Sequence, residues 1–224
     1  MKRFVGVLIV ILCVSCGATR GGREVEGRGF LGDYSRLSEN PEDGVDLRYI
    51  AMDVDWQSYD KVLLDPVQFW RSADVEAGLS PEEAQELADY FYGALRESLS
   101  GDYAMVTAPE GGTLRISIAF IRLGERNVTL DTISTYWPIG RVLSEVSGGV
   151  TGKPSFVGEA AYEGKITDAT SGELLGAAVD GRVGGKAIKD FGDWTDVKAA
   201  SDLWARKLAF RLCMLRGGQA CDEP

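Results

Sequence analysis

Histidine is absent from all 224 residues of the sequence. This absence excludes Ser-His-Asp triads, Cys-His dyads and imidazole-based acid or base catalysis. Cysteine is scarce too: of four residues, Cys13 and Cys16 lie near the N-terminus, which leaves two soft ligands where a structural zinc site needs four. Carboxylates are abundant, but no spacing of Asp and Glu singles out a catalytic pair. We therefore predict no catalytic residues, no metal and no cofactor.

Positive charge is also in short supply, because 24 Lys and Arg face 34 Asp and Glu, for a net charge of −10. Nucleic acids and anionic membrane surfaces are bound by clustered Lys and Arg. The composition therefore argues against a nucleic-acid partner and against membrane docking through a basic face. Any attachment to a membrane would have to come from a lipid.

The apolar run near the N-terminus, Phe4 to Val14, is too short for a membrane span, which needs about 20 apolar residues. Two cations precede it and Ser15 and Cys16 follow it, as in a secretory signal peptide. Its end resembles the lipobox of bacterial lipoproteins, in which a cysteine after a small residue is lipidated and becomes the first residue. We predict a signal peptide over 1–15 and lipidation of Cys16; an ordinary cleaved signal or an uncleaved anchor is the alternative.

Behind the lipidated cysteine, the composition changes once. Residues 16–29 contain almost no apolar side chain and are predicted to form a flexible tether, about 20 Å in root-mean-square length. Residues 30–224 are long enough for one hydrophobic core but short for two, so we predict a single domain.

Cys213 and Cys221 would then be the two free thiols left in an oxidising compartment. Gly217 and Gly218 between them allow the chain to reverse after a helix. We predict a disulfide between these two cysteines.

The clearest predicted element is a helix from Ser80 to Leu99. Ser80 is a typical N-cap, Pro81 suits the first turn, and Glu83 completes a capping box. Its apolar positions follow helical spacing and should face the core. They are Ala84, Leu87, Ala88, Phe91, Leu95 and Leu99.

The remaining predicted elements are strands and one closing helix. Val62, Leu63, Leu64, Val67 and Phe69 around Pro66 are predicted to form a buried strand that ends in a proline bend. Residues 113–122 alternate, so that one face of that strand should be exposed. Ala169 to Gly172 should join two strands as a hairpin. The closing helix runs from Thr195 to Leu215, and a helical turn is predicted over Ile139–Val146. The predicted fold class is α/β (α+β), with two main helices packed on a single mixed, largely antiparallel sheet.

Three local patterns suggest chemistry but are better explained otherwise. GGVTGKP, 148–154, has one residue too few for a phosphate-binding loop and Pro154 in place of its Ser or Thr. Ser58 to Lys61 matches S-x-x-K without the partner motifs of penicillin-binding enzymes. Asp53, Asp55 and Asp60 lack the glycine and terminal Glu of a calcium loop, so we interpret them as a solvated face.

Several longer motifs together resemble a family of bacterial envelope lipoproteins known as a domain of unknown function. They are FLGDYSRL, YDKVLLDPVQFW, the capped helix from Ser80, FVGEAAYEGKITDATSGELLGAAVDGRVGGK and WTDVKAASDLWARKLAFRL. The resemblance extends from about Phe30 to Leu215 and implies an envelope location and an α/β fold. The order of elements is also similar to the small α/β domain of other envelope lipoproteins, including a curli-secretion pore subunit, which act by binding proteins.

The sequence thus predicts a lipid-anchored, periplasm-facing module of the outer membrane that binds or assembles other envelope proteins. A carboxylate-based hydrolase of envelope polysaccharide is the alternative, and it requires two carboxylates about 5 to 10 Å apart in one cleft. An oligomerising structural subunit is a third possibility, and it requires a large exposed apolar patch.

Overall fold

A computed structural model describes residues 29–40, 45–71, 73, 78–126, 157–183, 194–218 and 220–224 of the protein. The predicted signal peptide, Cys16 and the tether up to residue 28 lie outside these residues, as do the predicted turn Ile139–Val146 and the 148–154 motif. Neither long helix of the described part is apolar enough over sufficient length to cross a membrane.

Eight strands of the described chain form one mixed sheet. They are β1 (Ser38–Asn40), β2 (Val45–Ile50), β3 (Lys61–Leu64), β4 (Gln68–Phe69), β5 (Ala104–Val106), β6 (Thr113–Arg126), β7 (Val157–Asp168) and β8 (Leu174–Val183). The spatial order is β1-β2-β8-β7-β6-β3-β5, with β4 also beside β6. In this spatial order, the neighbouring pairs β1-β2, β2-β8, β8-β7 and β7-β6 are antiparallel. Strand β3 runs parallel to both β5 and β6, and β4 runs parallel to β6.

The predicted bend at Pro66 divides one edge of β6 between two short strands. Leu64 at the end of β3 pairs with Ile116, and β4 resumes beside the same strand at Gln68. Because proline has no N–H to donate, it interrupts a ladder. Asp65 still donates its backbone N–H to Ile116 at 2.9 Å. The predicted end of a strand at this proline is confirmed, since β3 ends at Leu64, whereas Phe69 belongs to a separate short strand.

Two helices, α1 (Pro81–Leu99) and α2 (Thr195–Leu215), pack on each other and on one face of the sheet. The capping box of α1 is present: the Glu83 N–H donates to Ser80 Oγ at 3.2 Å, and the Ser80 N–H donates to Glu83 Oε2 at 2.8 Å. All six residues of its predicted apolar stripe are buried. The predicted fold class, an open mixed sheet covered by two helices, is confirmed.

An aromatic cluster joins the helices to the sheet. The ring of Phe91 on α1 lies 5.4 Å from Phe120, 6.2 Å from Tyr162 and 5.8 Å from Trp204 on α2, measured between centroids. The ring planes are tilted or edge-on to one another, and such arrangements are favoured over a face-to-face sandwich. Phe91 is fully buried, as predicted for a member of the core-facing stripe.

The hairpin between β7 and β8 has the predicted turn. Gly172 adopts φ +75°, and its N–H donates to the Asp168 carbonyl at 2.9 Å. The Asp168 carboxylate also accepts the backbone N–H groups of Thr170 and Ser171. The hydrogen bond from Ser171 is the main reason why the pKa of Asp168 lies below its usual value.

The face of β6 that carries Arg115 was predicted to be exposed, but it is not exposed along its whole length. That part of the prediction for residues 113–122 is wrong. Arg115 is exposed, but Ala119 and Ile121 are buried. The N-terminal segment, residues 29–37, lies over this second face together with Trp70. Its apolar side chains come from regions distant in sequence, which explains why the alternation within β6 did not reveal the contact.

Candidate functional site

Cys213 and Cys221 are joined by a disulfide, with their Cα atoms 5.9 Å apart. The turn between them depends on glycine: Gly217 adopts φ +79°, and a Cβ on Gly218 would lie only 2.6 Å from Cys213 Sγ. Such a distance is too short for any ordinary Cβ contact. The bond therefore closes the C-terminal tail onto the end of α2.

Glu163, on β7, is a fully buried carboxylate that the sequence analysis did not single out. Its Oε2 accepts the backbone N–H groups of Phe30 and Leu31 at 3.1 and 3.2 Å and the hydroxyl of Tyr34 at 2.5 Å. Burying an unpaired carboxylate is costly, so these donors are what allow Glu163 to lie under the N-terminal segment. The carboxylate thereby fixes the N-terminal segment to the second face of the sheet.

Asp180, on β8, is the other deeply buried carboxylate of the described residues. It accepts the indole N–H of Trp204 at 2.8 Å and pairs with Arg182 at 2.9 Å. In the ladder between β7 and β8, Asp180 lies opposite Tyr162. Glu163, which follows Tyr162 on β7, lies opposite Val179. Because successive residues of a strand point to opposite faces, the two carboxylates lie on different sides of the sheet. They do not form the pair that a carboxylate-based hydrolase requires.

A cavity of about 60 Å³, which we call the cleft, lies between the two helices and the face of the sheet formed by β2, β6, β7 and β8. Two residues without large side chains, Gly164 and Ala178, lie opposite each other on this face of the sheet and leave the space. Most of the wall is apolar and part of it is fully buried. The apolar and aromatic wall residues are Ile50, Phe91, Leu95, Ile118, Tyr162, Ile166, Trp204, Leu208, Leu212 and Leu215.

Three cations complete the cleft. Arg48 comes from β2, and Lys207 and Arg211 come from α2; all three are partly exposed. Each also interacts with other groups of the chain. Among the described residues that line the cleft, none is Asp or Glu. Asp180, opposite Tyr162 on the same face of the sheet, places a negative charge close to these cations.

The aromatic floor of the cleft is held in place from below. The rings of Tyr162 and Trp204 lie 4.7 Å apart, and the Trp204 indole is fixed by its hydrogen bond to Asp180. Burial, followed by the nearby charge of Asp180, raises the pKa of Tyr162 above its usual value. Tyr162 is therefore neutral at physiological pH, and the floor offers rigid apolar surface instead of a reactive group.

Two of the three patterns interpreted as non-functional, Ser58–Lys61 and the aspartates 53, 55 and 60, do not line the cleft, and the third, 148–154, lies outside the described residues. Asp53, Asp55 and Asp60 are exposed, and no group of three or more potential metal ligands occurs within the described residues. Ser58 Oγ donates to the Asp55 carbonyl at 2.6 Å, and Lys61 lies beside Asp60. These residues form a hydrogen-bonded surface turn.

Solved structures give partial matches at low identity. A PelC dodecamer from Paraburkholderia phytofirmans matches with a TM-score of 0.40 and 10% identity over 77% of this chain and 96% of that chain. A DUF330 protein from Xanthomonas campestris matches with 0.40 and 12% over 70% and 82%. A protein from Caulobacter crescentus, described as a candidate lipoprotein, matches with 0.37 and 9% over 74% and 95%. Likenesses at this level carry no argument about function.

The sequence itself has one informative match. No curated protein matches it significantly. A family model, however, covers residues 26–208, which include the N-terminal segment, the sheet and both helices up to Leu208. Because this match spans most of the chain, the protein belongs to the family described as protein of unknown function (DUF3313), in agreement with the resemblance drawn from its motifs.

Proposed function

We propose that this protein is a lipid-anchored lipoprotein of the bacterial envelope that acts as a non-catalytic binding or assembly module. Cys16 would carry the lipid, residues 16–29 would form the tether, and the domain would face the periplasm. Gly17 follows the lipidated cysteine, where Asp would signal retention in the inner membrane in the enteric scheme, so the outer membrane is the proposed destination.

The observation that carries the proposal is the placement of the cleft relative to the N-terminus. Glu163 fixes the N-terminal segment to one face of the sheet, and the cleft opens on the other, beside α2. A chain anchored through Cys16 would attach to the face that lacks the cleft. The apolar walls of the cleft are typical of a binding pocket.

A hydrolase is the less well supported alternative. The two buried carboxylates, Glu163 and Asp180, lie on opposite faces and are each hydrogen-bonded to structural groups. Within the described residues, no carboxylate lines the cleft. We therefore base the proposal on binding, with no chemical step assigned.

The anchoring part of the proposal is tested with the variant Cys16→Ser. We expect the wild-type protein to fractionate with outer-membrane markers and to gain the mass of the lipid, and Cys16→Ser to lose both properties. Recovery of wild-type protein with inner-membrane markers would refute the proposed destination, and an unlipidated Cys16 would refute the anchor.

The binding part is tested by photo-crosslinking in intact cells. A photoreactive amino acid replaces Lys207, which lines the cleft, or Arg206, the exposed neighbour that does not. We expect crosslinked adducts from position 207 and few from position 206. Equal yields from both positions, or none from either, would contradict the assignment of the cleft as the binding surface.

A further inference from the structure

We propose that the N-terminal segment, residues 29–37, is a releasable strap that sets how far the anchored domain reaches from the membrane, an inference that rests on the lipid anchor proposed above. Docked on Glu163, the strap leaves the domain on the tether of residues 16–29. Released, residues 29–37 join the tether while the sheet and both helices stay folded. The strap thus has two positions, and the longer reach belongs to the released one.

The strap packs on a small hydrophobic cluster of its own. Its side chains Leu31 and Tyr34 pack against buried residues of the sheet, Ile121, Ala161 and Val179. The main core lies on the other face of the sheet, beneath the two helices, and its described members include no residue of the strap. Because the two clusters share no described residue, the strap can leave without loosening the main core.

The strap is attached to the sheet without being part of its ladder. None of residues 29–37 belongs to a strand, and their hydrogen bonds to the sheet include three that converge on Glu163 Oε2. Segments outside the core strands and helices open locally, at a free energy below that of global unfolding. On release, water would solvate the carboxylate of Glu163, so that the anion is not left buried without partners. Local opening therefore avoids the largest cost of breaking this cluster.

Release changes both the attachment point and the length of the tether. The docked strap holds the chain at Gly29, on the face of the sheet that lacks the cleft, whereas a released strap leaves it attached at β1, the edge of the sheet. Joined to the tether, residues 29–37 raise its root-mean-square length from about 20 Å to about 26 Å. Fully extended, they add about 30 Å, at about 3.3 to 3.6 Å per residue. The cleft then reaches partners farther from the membrane.

Local release is tested by native-state hydrogen exchange of the mature protein in detergent. The backbone N–H groups of Phe30 and Leu31, which donate to Glu163, report on the strap, and those of the β6–β7 ladder report on the main core. We expect the strap amides to exchange together, at least about 100-fold faster than the ladder amides. Tyr34→Phe removes one donor to Glu163 and should quicken the exchange of the strap amides at least about tenfold.

The variant Ile116→Val separates local release from global unfolding. Ile116 belongs to the main core, so the loss of a methylene group there destabilises the docked and the released forms equally, relative to the unfolded chain. We expect the ladder amides of this variant to exchange about two- to tenfold faster and the strap amides to exchange at the wild-type rate. If the strap amides quicken by the same factor as the ladder amides, the strap leaves only in global unfolding and the inference is overturned.

The reach is tested with protein anchored by its own lipid in vesicles of phosphatidylethanolamine and phosphatidylglycerol. Energy transfer from a dye attached through Ala108→Cys, an exposed position, to acceptors in the membrane measures the separation between domain and membrane. Leu31→Asp places a charge in the apolar contact of the strap and should release it, which lengthens the separation by about 5 Å. Ser35→Asp adds the same charge at an exposed position of the strap and should leave the separation unchanged.

Equal separations for Leu31→Asp and Ser35→Asp would overturn the inference. If Leu31→Asp fails to fold, Glu163→Gln takes its place, with Glu173→Gln on the exposed hairpin turn as the control. Wild-type protein that carries no lipid would refute the proposed anchor and the reach together. A lipidated protein whose strap fails either test refutes the strap alone and leaves the proposed anchor in place.

Discussion

The carboxylate of Glu163 accepts the hydroxyl of Tyr34 at 2.5 Å, across 129 residues of sequence. The same oxygen accepts the backbone N–H groups of Phe30 and Leu31. Three donors from the N-terminal segment thus converge on one buried anion from the middle of the sheet. Hydrogen bonds to a charged group are stronger than neutral ones, so this cluster should hold the N-terminal segment in place.

Replacing the anion with Glu163→Gln should lower the free energy of unfolding by about 2 kcal/mol, because the amide oxygen that takes the place of Oε2 carries no charge and accepts weaker hydrogen bonds from the three donors. Urea unfolding of wild type and variant measures the loss. Glu173→Gln, on the exposed hairpin turn, is the matched control and should be close to neutral. A double-mutant cycle with Tyr34→Phe isolates the pair: Tyr34→Phe should cost clearly less in the Glu163→Gln background. Additive losses would mean that the two groups do not interact.

The phenol of Tyr34 gives the same contact a pH signature. Burial, followed by the hydrogen bond to Glu163, raises the pKa of Tyr34 to about 12. A raised phenol pKa means that the folded protein holds the proton more tightly than the unfolded chain, whose tyrosines titrate near pH 10. The contribution to stability is complete below about pH 10 and is lost as the pH rises toward 12.

Ultraviolet titration of the phenolate should therefore show Tyr34 ionising late, together with Tyr59, whose pKa is also raised to about 12 by burial and by the hydrogen bond to Asp168. In Tyr34→Phe the late fraction of the absorbance change should shrink by one tyrosine. An unchanged late fraction would mean that Tyr34 is solvated and that the N-terminal segment is not held as described.

Local signals in the sequence predicted some elements completely. The start of α1 follows from Ser80, Pro81 and Glu83, which act within one helical turn, and its buried stripe was predicted residue by residue. The β7–β8 turn likewise depends on Asp168 and Gly172, only four residues apart. Such elements can be predicted from the sequence because the interacting groups are close together in the chain.

Contacts between distant segments could not be predicted in the same way. In the sequence, Glu163 has the pattern of an ordinary polar residue in an alternating strand. Phe30, Leu31 and Tyr34 come into contact with it only in the folded protein. The cleft is harder still, since its walls come from β2, α1, β6, β7, β8 and α2. Its sequence signal, small residues at 164 and 178, is too common to identify a cavity.

Phe91 connects α1 to the floor of the cleft, which makes its removal informative. Phe91→Ala should lower the free energy of unfolding by about 3 to 5 kcal/mol through lost burial and the space left beside Phe120 and Trp204. Tyr90→Ala, the adjacent exposed position, should cost much less; it removes the hydrogen bond to Asp202 at 3.0 Å. A loss below about 1 kcal/mol for Phe91→Ala would show that the ring is not part of the core.

The disulfide between Cys213 and Cys221 links the architecture to the proposed location, because it requires an oxidising compartment. A disulfide that closes so short a loop stabilises the folded protein by about 2 to 2.5 kcal/mol, because it lowers the chain entropy of the unfolded state. The gain should be smaller here, because α2 already restrains one end of the loop. Reduction should therefore loosen residues 217–224 and leave the core folded. Gly218→Ala should hinder the bond, since its Cβ would lie 2.6 and 2.8 Å from the two sulfurs.

Mass spectrometry after blocking free thiols in intact cells measures the state of the bond. We expect the wild-type C-terminal peptide to lack both blocking groups, and Gly218→Ala to carry them in a substantial fraction of molecules. A control substitution at the exposed Ala220, Ala220→Ser, lies within the same loop without this contact and should leave the bond intact. Two blocked thiols in the wild type would contradict both the bond and the periplasmic location, because an oxidising compartment would not leave this pair of sulfurs reduced.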